Sequence, residues 1–134
     1  MAPDGLITIE SPYGPEETMN RFEAEVKARG MTVFAHIDHA AGATAAGRSL
    51  RPTELLIFGN AKTGTPLMQS TQTFGIDLPL KALVWQDASG TTWLSYNDPA
   101  FLARRHGLDG ADNTTVNTMA AALKAIASKA ITPS

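Results

Sequence analysis

LLIFGNAKTGTPLM, running from Leu55 to Met68, sets a strand, a turn and the opening of a helix side by side. Leu55, Leu56, Ile57 and Phe58 are apolar without a break, the pattern of a short strand buried on both faces. Gly59 and Asn60 stop it. Lys62, Thr63 and Gly64 follow, and Thr65 stands as a side-chain acceptor just before Pro66, a residue suited to the first helical position, so a helix is expected to open there. Such a turn gathers backbone donors beside Lys62, where an anion is readily held, and serves equally well as a simple change of direction.

With 134 residues, 43% of them hydrophobic and 18% charged, the chain is sized for a single domain, residues 1–134, with a real core. A net charge of -2 supplies no basic field, so nucleic acid is not expected as a partner. The absence of cysteine removes disulfides, thiolate metal sites and cysteine nucleophiles. The opening MAPDGLITIE carries Asp4 and no long apolar run, so neither a secretory leader nor a membrane segment is expected, and the cytoplasm is the default location.

The remaining elements follow from periodicity and punctuation. Leu6 to Glu10 is a β-branched first strand. Pro15 opens a helix with Glu16 and Glu17 in its first turn and Lys27 and Arg29 in its last, an order the helix dipole favours, and Gly30 closes it. Met19, Phe22 and Val26 mark its core stripe. From Met31 to Asp38 the period changes to two, setting Val33, Ala35 and Ile37 on one face and Phe34, His36 and Asp38 on the other. Asp38 can cap the alanine-rich turn Ala40 to Gly47, and Arg48 to Pro52 form a loop. Leu80 to Gln86 and Thr91 to Tyr96, joined by Asp87, Ala88, Ser89 and Gly90, read as an antiparallel hairpin. Asp98 and Pro99 start a short helix that Gly107 ends, and Asp112, Asn113 or Thr114 caps a last helix with an apolar stripe from Val116 to Ala127.

Strands do not alternate regularly with long helices, which favours an α+β two-layer sandwich of β-α-β(4)-α-like order, its sheet rich in antiparallel pairs and its helical insertions small. Four blocks carry a resemblance: Val33 to Ala43 with HIDHAAGA, LLIFGNAKTGTPLM, IDLPLKALVW from Ile76 to Trp85, and WLSYNDP from Trp93 to Pro99. In this order they resemble the bacterial and archaeal family called domain of unknown function 302, over nearly the whole chain, with Ala61 standing where proline is common. The resemblance implies a compact sandwich and often a dimer, and no established activity.

Four groups of residues are candidates for chemistry. His36, Asp38 and His39 include imidazole and carboxylate ligands for zinc or iron, but strand alternation separates them, so no metal is expected and no cofactor is implied. Asp38 serves more simply as a helix cap that holds His39 by a hydrogen bond; the alternative is general acid–base work by that pair. GNAKTGT departs from a Walker loop, since Thr65 occupies the place of its lysine, and nucleotide hydrolysis is not expected. Trp85, Trp93 and Tyr96 suit a core or a subunit interface, or a pocket wall. Arg104, Arg105 and His106 end a helix where cations favour the dipole.

The expected function is a small-molecule-binding or dimeric interaction module, with the sheet and the last helix enclosing a small apolar pocket. The ligand, small or anionic, is assigned to His36, Asp38, His39, Asn60 and Lys62, and the partner is a second copy. The alternative is an acid–base or metal-assisted enzyme working at the Asp38/His39 corner near Lys62. No catalytic residue is identified.

Overall fold

The computed structural model describes residues 3–108 and 113–133. Five strands, β1 (Leu6–Ser11), β2 (Thr32–Asp38), β3 (Thr53–Gly59), β4 (Leu80–Gln86) and β5 (Thr92–Asn97), form one sheet in the order β1-β5-β4-β3-β2. Every adjacent pair is antiparallel. The helices are α1 (Pro15–Ala28), α2 (His39–Ala45), α3 (Ala61–Ser70), α4 (Pro99–Arg105) and α5 (Thr114–Ile131), with a 3-10 turn at Gln72–Asp77. This is the α+β sandwich that the chain order implies.

Local chemistry explains most boundaries. Pro15 takes the first position of α1, and Gly30, at φ +75, ends it in the left-handed region that glycine enters without a Cβ clash. Asn113 caps α5 by accepting the Val116 N–H at 3.0 Å, while Asp112 lies outside the described residues. In the β4–β5 hairpin the Asp87 carboxylate accepts from the Trp93 indole at 2.8 Å and from the backbone N–H of Thr91 and Ser89. These donors, the indole foremost, hold its pKa below the ordinary aspartate value.

The helices cover one face of the sheet. Phe22 of α1 meets Phe58 of β3 edge to face, with centroids 5.5 Å apart, and Met19, Val26, Leu56, Val84, Leu94, Leu123 and Ile126 are buried around them. Three expectations are corrected here. First, β3 is not buried on both faces: Leu56 and Phe58 are fully buried, but Leu55 and Ile57 lie on the helix-free face and are half-buried. Second, β2 does not alternate regularly. Val33 pairs with Phe58 and Ala35 with Ile57, so Phe34 is the extra residue of a bulge and Val33 leaves the face of Ala35. Third, α3 opens at Ala61 rather than Pro66, because Asn60 supplies the cap by accepting the Lys62 N–H at 2.9 Å; Pro66 sits inside the helix. Its pyrrolidine nitrogen has no N–H to offer the preceding turn.

The one-sided cover sets a measurable contrast between neighbours. Leu56→Ala should cost about 2–5 kcal/mol, the range for a buried leucine, and Leu55→Ala about half of that or less. Urea unfolding of both variants checks it, and equal losses would mean that both faces are covered.

Candidate functional site

The register of β2 on β3 decides what becomes of the expected site. Asp38 pairs with Glu54 at one end of the two strands, and Thr32 pairs with Gly59 at the other, next to Asn60. Six residue steps along a strand amount to about 20 Å. The Asp38/His39 corner and the Asn60/Lys62 turn therefore stand at opposite ends of the sheet, and the five residues do not converge.

Each has its own surroundings. The Asp38 carboxylate accepts the Ala41 N–H at 2.9 Å and caps α2, so the cap expected of it is formed while the expected bond to His39 is not. His39 is the exposed first residue of α2. The His36 ring lies 2.6 Å from Glu54 through Nε2 and 4.0 Å from Glu23 through Nδ1, which ties β2 to β3 and α1. Lys62 is exposed on α3, where helix replaces the expected phosphate-like loop: Thr63 and Gly64 donate their N–H groups to the Asn60 carbonyl. Among the described residues, no three His, Asp or Glu side chains gather as metal ligands.

Of the five, Asn60 borders a cavity that the other four do not line. Its volume is about 240 Å³, and it opens where β3 ends, α3 begins and α5 crosses. Met31 lies in the connection between α1 and β2, Phe34 comes from β2, Gly59 from the end of β3, and Leu78, Pro79 and Leu80 from the strap entering β4. Ala61, Thr63, Gly64, Thr65 and Met68 of α3 and Thr118, Met119 and Ala122 of α5 complete it. Among the described residues the lining holds no charged side chain. Small residues make the room: a methyl on Gly64 would already touch Leu78 at 3.6 Å.

A second polar cluster, distant in sequence, holds the strap. The Asp77 carboxylate accepts from Arg105 Nη1 at 3.0 and 3.2 Å and lies 2.6 Å from His106 Nε2. The His106 ring stacks on Phe74 at 5.0 Å, and its Nδ1 is 3.1 Å from Thr73 Oγ1. Arg105 and His106 thus do more than favour a helix dipole; they clamp the 3-10 turn to the end of α4. Asp77 and His106 are 29 residues apart, and no short-range pattern links them.

The aromatic residues divide between the two faces. Tyr96 joins the core, where burial, and then the Asp98 charge, raise its phenol pKa. Trp85 and Trp93 stack at 6.1 Å on the helix-free face, with the Trp85 indole donating to Ser95 Oγ at 2.9 Å. Beside them lies a shallow depression bordered by Leu55, Lys81, Leu83 and Asn97.

A five-stranded antiparallel sheet with one helical layer and an uncharged end cavity describes the fold class, and the sequence comparison gives it a family. The chain belongs to the family described as domain of unknown function DUF302, whose model matches residues 7–126. A crystal structure of an uncharacterized conserved DUF302 protein from Bacillus stearothermophilus superposes with a TM-score of 0.84, covering 96% of this chain and 99% of that one; at 22% identity it speaks to the fold alone. Two relatives, each named Fluoride-specific ion channel FluC 1, are 50% identical over 115 residues, 86% of this chain. One is from Brucella suis biovar 1 (strain 1330) and the other from Brucella abortus biovar 1 (strain 9-941). The chain spans 45% and 43% of their lengths. No helix among the described residues is long and apolar enough to cross a membrane.

Removing the two carboxylates should have unequal effects. Asp77→Ala strips the exposed Arg105 and the buried His106 of their shared partner and should cost about 1.5–3 kcal/mol, whereas Asp38→Ala loses a cap worth about 0.5–2 kcal/mol and Asp38→Asn loses little. Thermal unfolding of the three variants checks the order. Asp38→Ala as the most damaging of the three would overturn it.

Proposed function

We propose that this chain is a small-molecule-binding module whose site is the cavity between α3, α5 and the Asn60 end of the sheet. The observation that carries the reading is a partly open apolar cleft of about 240 Å³ with polar groups at its edge, the usual composition of a ligand site. Asn60, Thr63 and Thr118 offer hydrogen bonds there, and the lack of charge selects against a free anion. The alternative of an enzyme at the Asp38/His39 corner has less support, since Asp38 is engaged as a cap and Lys62 lies at the far end of β2. The Brucella relatives fit a module: a segment half identical to this chain forms under half of a longer protein named for ion conduction. Conduction itself forms no part of the reading.

Neutral alcohols, phenols and indoles at millimolar concentration should raise the melting temperature; a ligand at a hundred times its Kd stabilises by about 2.7 kcal/mol. Ala122→Phe, which fills the cavity, should abolish the response, and Ala121→Phe, on the exposed side of α5, should keep it. A full response in Ala122→Phe would place the binding elsewhere.

A second reading rests on the other face. Antiparallel sheets commonly turn a polar face to water, yet Leu55, Ile57, Leu83, Trp85 and Trp93 occupy this one and Ile37 is 38% exposed at its margin. We propose that two copies pack these faces together about a two-fold axis, which sets the same apolar surface against itself and requires no partner of different chemistry. Light scattering should give twice the chain mass at micromolar concentration and a single-chain mass for Leu83→Asp. A single-chain mass for the parent would remove the pairing and leave the cavity reading intact.

A further inference from the structure

We infer that the cavity takes an uncharged aromatic ring and that Phe34 sets this preference; the inference rests on the cavity being a ligand site. Three methionines and one phenylalanine border it, Met31, Met68, Met119 and Phe34, each from a different segment. Thioether sulfur is polarizable and packs favourably at ring edges, and the flexible methionine side chain closes around a flat guest. Phe34 adds a ring for offset or edge-on stacking.

The position of Phe34 is a consequence of backbone geometry. Strand alternation would have given it a place in the ladder, but pairing passes from Val33 directly to Ala35, and the bulge re-aims the side chain between them. The ring leans over the end of β3, where its Cε2 would lie 3.8 Å from a methyl on Gly59, so glycine there leaves room for the ring to shift. Phe34 is 56% exposed, and a guest in the cavity would cover apolar surface that now faces water.

Size and polarity narrow the guest. An engineered apolar cavity of about 150 Å³ holds benzene. A space of about 240 Å³ therefore admits a substituted ring or a fused pair of rings. With no charged side chain among the described lining residues, a carboxylate or ammonium would lose its hydration without compensation, whereas one hydroxyl or ring N–H can reach Asn60, Thr63 or Thr118. The ligand class is that of neutral phenols and indoles.

The test uses protein carrying ¹³C at its methionine methyls, titrated with indole, with cyclohexanol as a saturated probe and with benzoate as a charged one. Indole should shift the methyl signals of Met31, Met68 and Met119 through its ring current. It should leave Met19, buried in the core away from the cavity, unmoved. Indole should bind about tenfold more tightly than cyclohexanol, Phe34→Leu should shrink that ratio to about threefold or less, and Phe34→Tyr should restore it. Equal binding of indole and cyclohexanol would overturn the aromatic preference and leave the site standing. Benzoate binding as tightly as indole would overturn the requirement for neutrality. A tenfold ratio kept in Phe34→Leu would remove Phe34 from its role, and no shift at the three methionines with any probe would overturn the site itself.

Discussion

The contact of Phe22 with Phe58 fixes which face of the sheet is the inside. Once these rings meet at 5.5 Å and 70°, α1 lies across β3, and α5 packs beside α1 over the same face. Alternation then follows for each strand: Leu56, Val84, Leu94 and Tyr96 point to the helices, while Leu55, Leu83 and Trp85 point away. The first set joins the buried core, whose removal from water drives folding, and the second set is left without a layer of its own.

That constraint also explains why the apolar run Leu55 to Phe58 misleads as a sequence. An uninterrupted apolar strand ordinarily signals helices on both sides, as in a parallel sheet. Here the same pattern comes from an antiparallel strand with a core face and an open face that are both apolar. The class of fold, the hairpin at Asp87, the limits of α1 and the cap at Asp38 were legible because each depends on neighbours in the chain. The bulge at Phe34 was not, because Val33 to Asp38 fits period two when read alone, and only the partner strand shows that one residue is skipped.

The candidate site was legible in kind rather than in position. An apolar pocket between the sheet and the last helix is present, but Asn60 is the only one of the five expected residues on it among those described. Polar residue types drew attention to His36, Asp38 and His39, where a contact with Glu54 engages the first, a helix cap the second, and the third is exposed. The actual lining is written in residues with no chemical signature of their own, Met31, Gly64, Met68, Met119 and Ala122, spread over segments that only tertiary contact joins. Lys62 shows the same effect in reverse: the turn that would have presented it to an anion is helix, since Asn60 caps the chain earlier than Thr65 could.

The cavity and the open face are not independent surfaces. Leu78, Pro79 and Leu80 wall the cavity, and the next residue, Lys81, borders the depression on the opposite face and donates its ammonium to the Pro79 carbonyl at 3.2 Å. One strap therefore carries a wall of each, with its upstream end held by Asp77 through Arg105 and His106. A guest that moved Pro79 would move the acceptor of Lys81, and a second copy seated over Lys81 would restrain Pro79. Any linkage between filling the cavity and pairing of the chain would be reciprocal in free energy, and this strap gives it a short physical path. The clamp sets how much the strap can yield, because Asp77, held by Arg105 and His106, stands one residue before the cavity wall rather than inside it.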